Sequence, residues 1–178
     1  MNTLQKITGS AFALALVLGI SIPSADAANV VDVAVDNDLT TLVDFVVAAD
    51  LAPTVAGLSD ATVFAPTNKA FDKLPNVLLR AIENDPEILQ SILLYHVVTT
   101  DELKAEDVVE LRKISPAYPG QDIRVRSGGS NVFLDASRVI ATDVEADNNV
   151  TVHVIDRVMV PWRGIIRDVI SALRHYVS

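Results

Sequence analysis

The histidines are the side chains best suited to move protons at neutral pH, and the chain has three of them, His96, His153 and His175. His153 precedes Asp156 by three positions in the segment VHVID, which suggests a His–Asp pair for acid–base chemistry. Residues three apart on a strand point to opposite faces of a sheet, so these two side chains cannot pair with each other. We therefore interpret His96 and His153 as core or near-core residues and His175 as a surface residue.

The segment TVFAPTNKAF, residues 62–71, changes at Pro66 from a strand-like to a helix-like pattern. Corners of this kind bind phosphate groups or carry nucleophiles in other folds. This one contains no glycine, which a phosphate loop requires, and the chain has neither cysteine nor the G-x-S-x-G pattern of a hydrolase. We predict no catalytic residue here. Instead, Pro66 ends a strand, Thr67 caps the next turn and Phe71 anchors that turn in the core.

The acidic segment DVEADNN is the one place where the sequence suggests a metal ion. Asp143, Glu145 and Asp147 share one face of a predicted strand. The segment lacks the ligand spacing of a calcium loop, and a chain without cysteine lacks the thiolate ligands that most structural zinc sites use. A solvated acidic face is preferred over a calcium site, and neither a metal nor a cofactor is predicted. The opposite face of this strand is expected to carry Ile140, Thr142, Val144 and Ala146.

The net charge of the chain limits the partners that it can bind, and its N-terminal pattern indicates where the protein is sent. The chain carries a net charge of −9, which repels nucleic acid and anionic lipid headgroups. Residues 1–27 have the pattern of a secretory signal, in which Ala25 and Ala27 form the cleavage motif. A retained anchor is the alternative, although the apolar run is shorter than the ~20 residues of a membrane-spanning helix. After cleavage, no membrane insertion is expected.

The remainder, residues 28–178, has the length of a single domain. Apolar residues recur at three- and four-residue steps after Asp38, which predicts a helix capped by Asp38 and broken by Pro53 and Gly57. The other predicted elements are helices at residues 76–84, from Asp85-Pro86 onward and at 163–178, a strand at Val97-Val98, and hairpins turning at 127–130 and 147–149. Helices followed by antiparallel strands predict an α+β fold.

Three segments resemble, in order, the signatures of the fasciclin domain family: TVFAPTNKAF the first, LLYHVV the central Tyr-His motif, and VTVHVIDRVMVP the second. The opening LTTLVDFVVAADLAPTVAG is similar to the family's helical opening, so the resemblance covers essentially all of residues 28–161. No Arg-Gly-Asp tripeptide is present. The matching positions carried over as structural residues are Thr62, Phe64, Pro66, Thr67, Phe71, His153, Asp156 and Pro161.

The resemblance implies an α+β domain in which a wedge of mostly antiparallel strands packs against several helices. It also implies a single-domain bacterial-type protein that is exported to a periplasm, the cell surface or the medium. Its implied role is non-enzymatic adhesion or contact with a cell-surface or matrix protein or glycan. The binding residues carried over are Tyr95, His96 and Asn68, to which the loop SPAYPG adds Tyr118. Since some members bind carotenoids or other apolar molecules, a lipid or carotenoid carrier is the alternative.

Overall fold

The computed structural model describes residues 30–128, 131–146 and 148–165 of the chain. The secretory signal, Asp147 of the acidic segment, the final helix beyond residue 165 and His175 lie outside the described residues, so the statements about them remain predictions. Within the described part, no helix is long and apolar enough to cross a membrane.

Helices predominate in the first half of the described chain and strands in the second half. The helices are α1 (Val30–Asp36), α2 (Thr40–Ala48), α3 (Ala52–Ala56), α4 (Asn68–Asp72), α5 (Asn76–Asn84), α6 (Pro86–Tyr95) and α7 (Ala105–Glu110). The strands are β1 (Ala61–Pro66), β2 (Val97–Val98), β3 (Lys113–Ile114), β4 (Ile123–Gly128), β5 (Asn131–Leu134), β6 (Ser137–Ala146) and β7 (Val150–Ile155). Residues 162–165 have helical backbone.

The seven strands form one mixed sheet in the order β2-β1-β7-β6-β5-β4-β3. β1 and β7 pair in parallel, and every other neighbouring pair is antiparallel. The parallel pair places the first and last signature segments side by side, with Phe64 opposite His153. The predicted α+β fold, a mostly antiparallel sheet combined with helices, is confirmed.

β1 and β7 are buried along their whole length, which fits their mostly apolar sequences. Alternate side chains of β1 enter two different cores. Val63 and Ala65 pack with the helices α1, α2, α5 and α6. Phe64 lies in a second core with Tyr95 and with residues of β4, β5 and β7. The sheet therefore separates a helical core from a core built mainly on strands.

Several predicted elements appear where the sequence indicated. α5 spans Asn76–Asn84, and β2 comprises Val97 and Val98. The Asp85 side chain accepts hydrogen bonds from the backbone N–H groups of Glu87 and Ile88, at 3.0 and 3.2 Å, and so caps α6. Both predicted hairpins form, as β4–β5 and β6–β7.

Two predictions about helix ends are wrong. Asp38 has a φ of 57°, in the left-handed region that aspartate tolerates, and Leu39 occupies the N-cap position of α2. Pro53 does not break the helical pattern either. It lies in the first turn of α3, where a missing backbone N–H removes no intrahelical hydrogen bond.

The prediction of regular alternation along β6 is also wrong. The register shifts twice around Ala141, and Ile140 is 46% exposed although it was expected on the apolar face. Asp143 accepts the backbone N–H of Ala105 at 2.8 Å, and Glu145 forms an ion pair with Lys104 at 3.4 Å. Both carboxylates thus hold the start of α7. Among the described residues, no three His, Asp or Glu side chains converge as metal ligands would.

Candidate functional site

An open groove of about 630 Å³ is bounded by α4 and the turn after it, by β4, by the β5–β6 turn and by residues 157–163. This volume lies within the ~300–1,000 Å³ that is typical of sites for small ligands. Its lining includes six cationic side chains, all on exposed residues: Lys73, Lys113, Arg124, Arg126, Arg157 and Arg163. A groove of this charge is unexpected in a chain whose net charge is −9.

Two carboxylates also line the groove, and both are engaged by other groups of the protein. Asp135 accepts hydrogen bonds from the Tyr95 hydroxyl at 2.8 Å and from the backbone N–H of Arg124 at 3.1 Å. Asp122 forms an ion pair with Lys113 at 3.2 Å. Both carboxylates of the groove are therefore already bound to other groups of the protein.

Tyr95 supports the lining of the groove from beneath. Its ring is fully buried, and its hydroxyl accepts a hydrogen bond from the Gln121 side chain at 3.0 Å while donating to Asp135. Gln121 in turn accepts the backbone N–H of Arg163 at 3.2 Å. Burial and the Asp135 carboxylate raise the pKa of Tyr95 above its usual value, so the hydroxyl remains a donor. Tyr95, a predicted binding residue, thus bonds directly to Asp135 and Gln121 of the groove and is linked through Gln121 to Arg163.

Tyr118 is buried, although the sequence suggested that its loop would present it to solvent. Its ring packs edge-on against Tyr95, with centroids 6.2 Å apart and planes at 88°. Its hydroxyl lies so close to Gly164 that a Cβ at that position would overlap it. The loop SPAYPG is therefore packed against the helical turn at residues 162–165. A binding role for Tyr118 stays a prediction.

His96 is buried, and both of its ring nitrogens have partners. Nδ1–H donates to the Ile92 carbonyl at 2.7 Å, and Nε2 accepts the backbone N–H of Met159 at 2.9 Å. Burial lowers the pKa of His96 to about 4, so the imidazole is neutral at physiological pH. Because Met159 lines the groove, His96 ties α6 to the groove wall. Its binding role also stays a prediction.

Thr62 and His153 hold one loop segment, residues 101–103, against the sheet. The Thr62 hydroxyl donates to the Asp101 carbonyl at 3.0 Å and accepts the Leu103 N–H at 2.7 Å. His153 donates through Nε2 to the Leu103 carbonyl at 2.8 Å, and its ring stacks on Phe64 with centroids 5.7 Å apart. Burial lowers the pKa of His153. These contacts fit a structural role for the signature residues.

The strand-to-helix corner has the predicted architecture. β1 ends at Pro66, and Thr67 occupies the N-cap position of α4 in an extended conformation. The Thr67 side chain makes no capping hydrogen bond, so this part of the prediction is wrong. Phe71 is buried and packs against Phe45, with ring centroids 5.2 Å apart.

Asn68 connects this corner to α2. Its Oδ1 accepts the backbone N–H of Thr41 at 3.0 Å, and its Nδ2 donates to the Thr40 hydroxyl at 3.1 Å. Asn68 thus supplies the cap that the sequence had assigned to Asp38. Its predicted role in binding a partner remains untested.

The last two signature residues secure the segment that leads to the groove. The Asp156 carboxylate accepts the backbone N–H of Arg138 at 2.8 Å and lies 3.6 Å from Nζ of Lys73, which lines the groove. Asp156 and His153 have separate partners, as their spacing predicted. Pro161 is buried, and its carbonyl accepts the N–H groups of Gly164 and Ile165.

A second cavity, with a mostly apolar lining, lies between the N-terminal helices α1–α3 and the elements β1 and α6. This is where the carrier alternative would place its ligand. The cavity measures about 80 Å³, whereas pockets that enclose drug-sized molecules begin near ~300 Å³. In this conformation it is too small for a carotenoid or a lipid chain.

The family model of the fasciclin domain matches residues 37–161 of the chain. The chain belongs to the fasciclin domain family. Protein sll1483 from Synechocystis sp. is 37% identical over 139 residues, which cover 76% of this chain and 74% of that protein. Cell surface glycolipoprotein MPB83 from Mycobacterium bovis is 31% identical over 112 residues, or 63% of this chain and 48% of that protein. This fasciclin domain thus spans about half the length of MPB83.

Among solved structures, the chain is similar to a FAS1 domain pair from the insect cell adhesion molecule fasciclin I. The TM-score is 0.55 at 21% sequence identity, and the match covers 70% of this chain and 45% of the other. At this level of identity the likeness establishes the fold alone.

Sequence reasoning missed the basic groove of this fasciclin domain. One local signal was available, because Arg124 and Arg126 alternate in DIRVR and so lie on the same face of β4. Lys73 and Arg157 reach the groove from distant segments, and no local pattern connects them with β4. The net charge of the chain also pointed away from a basic site.

Proposed function

We propose that this fasciclin domain is an exported, non-enzymatic binding module that mediates adhesion or contact at a cell surface or outside the cell. Its partner is a cell-surface or matrix protein or glycan. The names of its relatives support this role, since one is a cell surface glycolipoprotein and another belongs to a cell adhesion molecule. The predicted secretory signal supports export to a periplasm, the cell surface or the medium.

The observation that carries the proposal is the groove, which is open to solvent and lined by cationic side chains. Trp162, whose side chain also lines it, is 50% exposed. Tryptophan and arginine are the residues most enriched where proteins make energetically important contacts. Tyr95 donates a hydrogen bond to Asp135, and His96 accepts one from the Met159 N–H; both bonds support a rigid lining, which reduces the entropy lost on binding.

The state of the titratable core residues supports a role without catalysis. General acid–base catalysis needs a group that can reach a substrate and whose pKa lies near the working pH. The two described histidines are buried, and each has hydrogen-bond partners on both ring nitrogens. Tyr95 is held in its protonated form beneath the groove.

Deletion of the coding sequence in the native host, followed by complementation, tests this function. We expect the chain in the periplasmic, surface or medium fraction, and we expect attachment to surfaces or neighbouring cells to fall on deletion and to recover on complementation. A cytoplasmic chain, or attachment that is unaffected by deletion, would contradict the proposal.

The second candidate is a carrier of a lipid or carotenoid, which the apolar lining of the smaller cavity suggests. Its lining by helices and β1 suits such a ligand, but the cavity must expand to hold one. Solvent extraction of the protein purified from its native host distinguishes the carrier from the contact module. A visible absorption band or a stoichiometric lipid supports the carrier, and a colourless chain without lipid opposes it.

A further inference from the structure

We infer that the basic groove binds an acidic polysaccharide, a chain of sugar rings that bears regularly spaced carboxylates. This inference rests on the proposed function and names the class of its partner. It is argued from the cationic residues of the groove, from its exposed indole and from the acidic net charge of the chain.

The arginine side chains of the groove are free to meet an external anion. Of its six cationic residues, Lys73 and Lys113 form ion pairs, whereas none of the four arginines does so among the described residues. Arg126 makes a single long hydrogen bond, 3.4 Å, to the Asp135 carbonyl. A guanidinium presents a planar fork of donors that matches a carboxylate in bidentate geometry. The groove therefore offers several unoccupied carboxylate-binding groups.

Lysine and arginine side chains lie next to one another in the groove. Lys113 of β3 lies directly opposite Arg124 of β4, and Arg126 follows on the same face of β4. Directly opposed like charges destabilise a strand pair. The neighbouring carboxylates form no ion pair with these arginines among the described residues: Asp135 accepts a hydrogen bond from Tyr95, and Asp122 pairs with Lys113. A bound polyanion would relieve this repulsion.

Trp162 distinguishes a polysaccharide from a simple anion. Its side chain is half exposed and lines the groove together with Arg157 and Arg163. The C–H face of a pyranose ring packs on an indole face, while a carboxylate on the same sugar reaches a neighbouring guanidinium. A uronic acid unit combines both groups in one residue. The pairing of Trp162 with arginines thus fits a uronate chain.

Other polyanions fit less well. Duplex nucleic acid and anionic membranes need a broad positive surface, and the chain as a whole is acidic, with a net charge of −9. Single-stranded nucleic acid binds by stacking successive bases on several aromatic rings. Trp162 is the aromatic side chain in the described lining of the groove. The carboxylates of an acidic polypeptide would satisfy the arginines, but Asp and Glu side chains carry no ring that could pack on the indole.

The chain contains a single tryptophan, so its fluorescence reports directly on the groove. We would titrate the full exported chain with oligogalacturonate and follow the emission of Trp162. The expected result is a saturable change that weakens as salt is added, because the Debye length falls from about 30 Å at 0.01 M to about 8 Å at 0.15 M. A neutral maltooligosaccharide should give no change. Absence of saturation with oligogalacturonate would overturn the inference.

Charge reversal locates the site. Arg126→Glu and Arg157→Glu should each weaken binding by about tenfold or more, because each places a carboxylate where an ion pair is expected. Arg80→Glu on α5 changes the net charge equally but lies outside the lining, so it should bind as the wild type does. Circular dichroism verifies folding, and the Gln variants at positions 126 and 157 provide milder substitutions. Equal loss in Arg80→Glu would overturn the inference.

Competing anions decide the class of partner. Poly-L-glutamate or oligothymidylate that binds as tightly as oligogalacturonate would overturn the polysaccharide inference in favour of that class.

Failure of the inference is distinguishable from failure of the proposed function. If complementation with the Arg126→Glu chain does not restore attachment although oligogalacturonate fails to bind wild type, the contact function stands and its partner is not a uronate chain.

Discussion

Phe71 shows how one aromatic residue fixes the strand-to-helix corner. It is buried against Phe45 in the helical core, so removing its ring leaves a cavity. We expect Phe71→Ala to lower the free energy of unfolding by about 3–5 kcal/mol, as measured by chemical denaturation. Val77→Ala, at a position that is 83% exposed, should change it by less than about 0.5 kcal/mol. A loss below about 1 kcal/mol for Phe71→Ala would show that it is not an anchor.

His96 makes the stability of the domain depend on pH. Its pKa is about 4 in the folded chain, against the usual 6.5 of a histidine in water, because burial disfavours the charged imidazole. Between these values the unfolded chain binds more protons, so this contribution is complete above about pH 6.5 and is lost as pH falls towards 4. The loss should be on the order of 3 kcal/mol.

Urea denaturation across this pH range, compared between wild type and His96→Gln, isolates the effect. The variant should be less stable at neutral pH and should depend less steeply on pH, since the contributions of the carboxylates and of His153 are common to both proteins. Equal slopes for the two proteins would contradict the burial of a neutral His96.

At the scale of elements, two helix starts that look alike in the sequence should respond differently to mutation. Asp85 caps α6 with two hydrogen bonds, whereas Thr67 occupies the N-cap position of α4 without a side-chain bond. Asp85→Ala should therefore cost about 1 kcal/mol of unfolding free energy, and Thr67→Ala less than about 0.5 kcal/mol. Chemical denaturation of both variants measures this difference. The reverse order would refute the capping geometry.

The turn at residues 162–165 depends on close packing against the loop SPAYPG. A methyl group at Gly164 would overlap the Tyr118 hydroxyl, so Gly164→Ala should cost about 1–3 kcal/mol in thermal or chemical denaturation. Gly128 has open space around its Cβ position, which makes Gly128→Ala the matched control. If the two variants are equally stable, Tyr118 is not packed against this turn.

Local rules predicted the elements well and their ends less well. The cap at Asp85 depends on atoms within three residues, which the sequence displays. The cap of α2 comes from Asn68, 27 residues away from Thr41, and no local pattern could reveal it. Pro53 was misinterpreted because proline is found both after the end of a helix and in the first turn of the next one, and Pro53 lies in the first turn of α3.

At the scale of the whole molecule, the signatures predicted the fold because they are its most constrained parts. Thr62, Phe64 and His153 lie on the parallel pair β1–β7, which both cores share. The pairing itself was not predicted, since it joins segments about ninety residues apart, Thr62 with Thr151. The basic groove escaped prediction for the same reason, and because net charge is a sum that conceals where individual charges lie.

Two of the predicted binding residues, Tyr95 and His96, lie beneath the groove. Tyr95 and His96 are buried, yet their hydrogen bonds end on Asp135, Gln121 and Met159, all of which line the groove. The central motif thus lies beneath the surface that we propose as the contact site.

Binding of labelled protein that comprises residues 28–178 to intact cells of its native host, at physiological salt, tests the central claim most directly. Three proteins suffice: wild type, Arg126→Glu in the groove and Arg80→Glu outside it. The account predicts saturable binding of wild type and Arg80→Glu, and loss of binding for Arg126→Glu. No binding by wild type, or equal binding by all three proteins, would contradict contact through the basic groove.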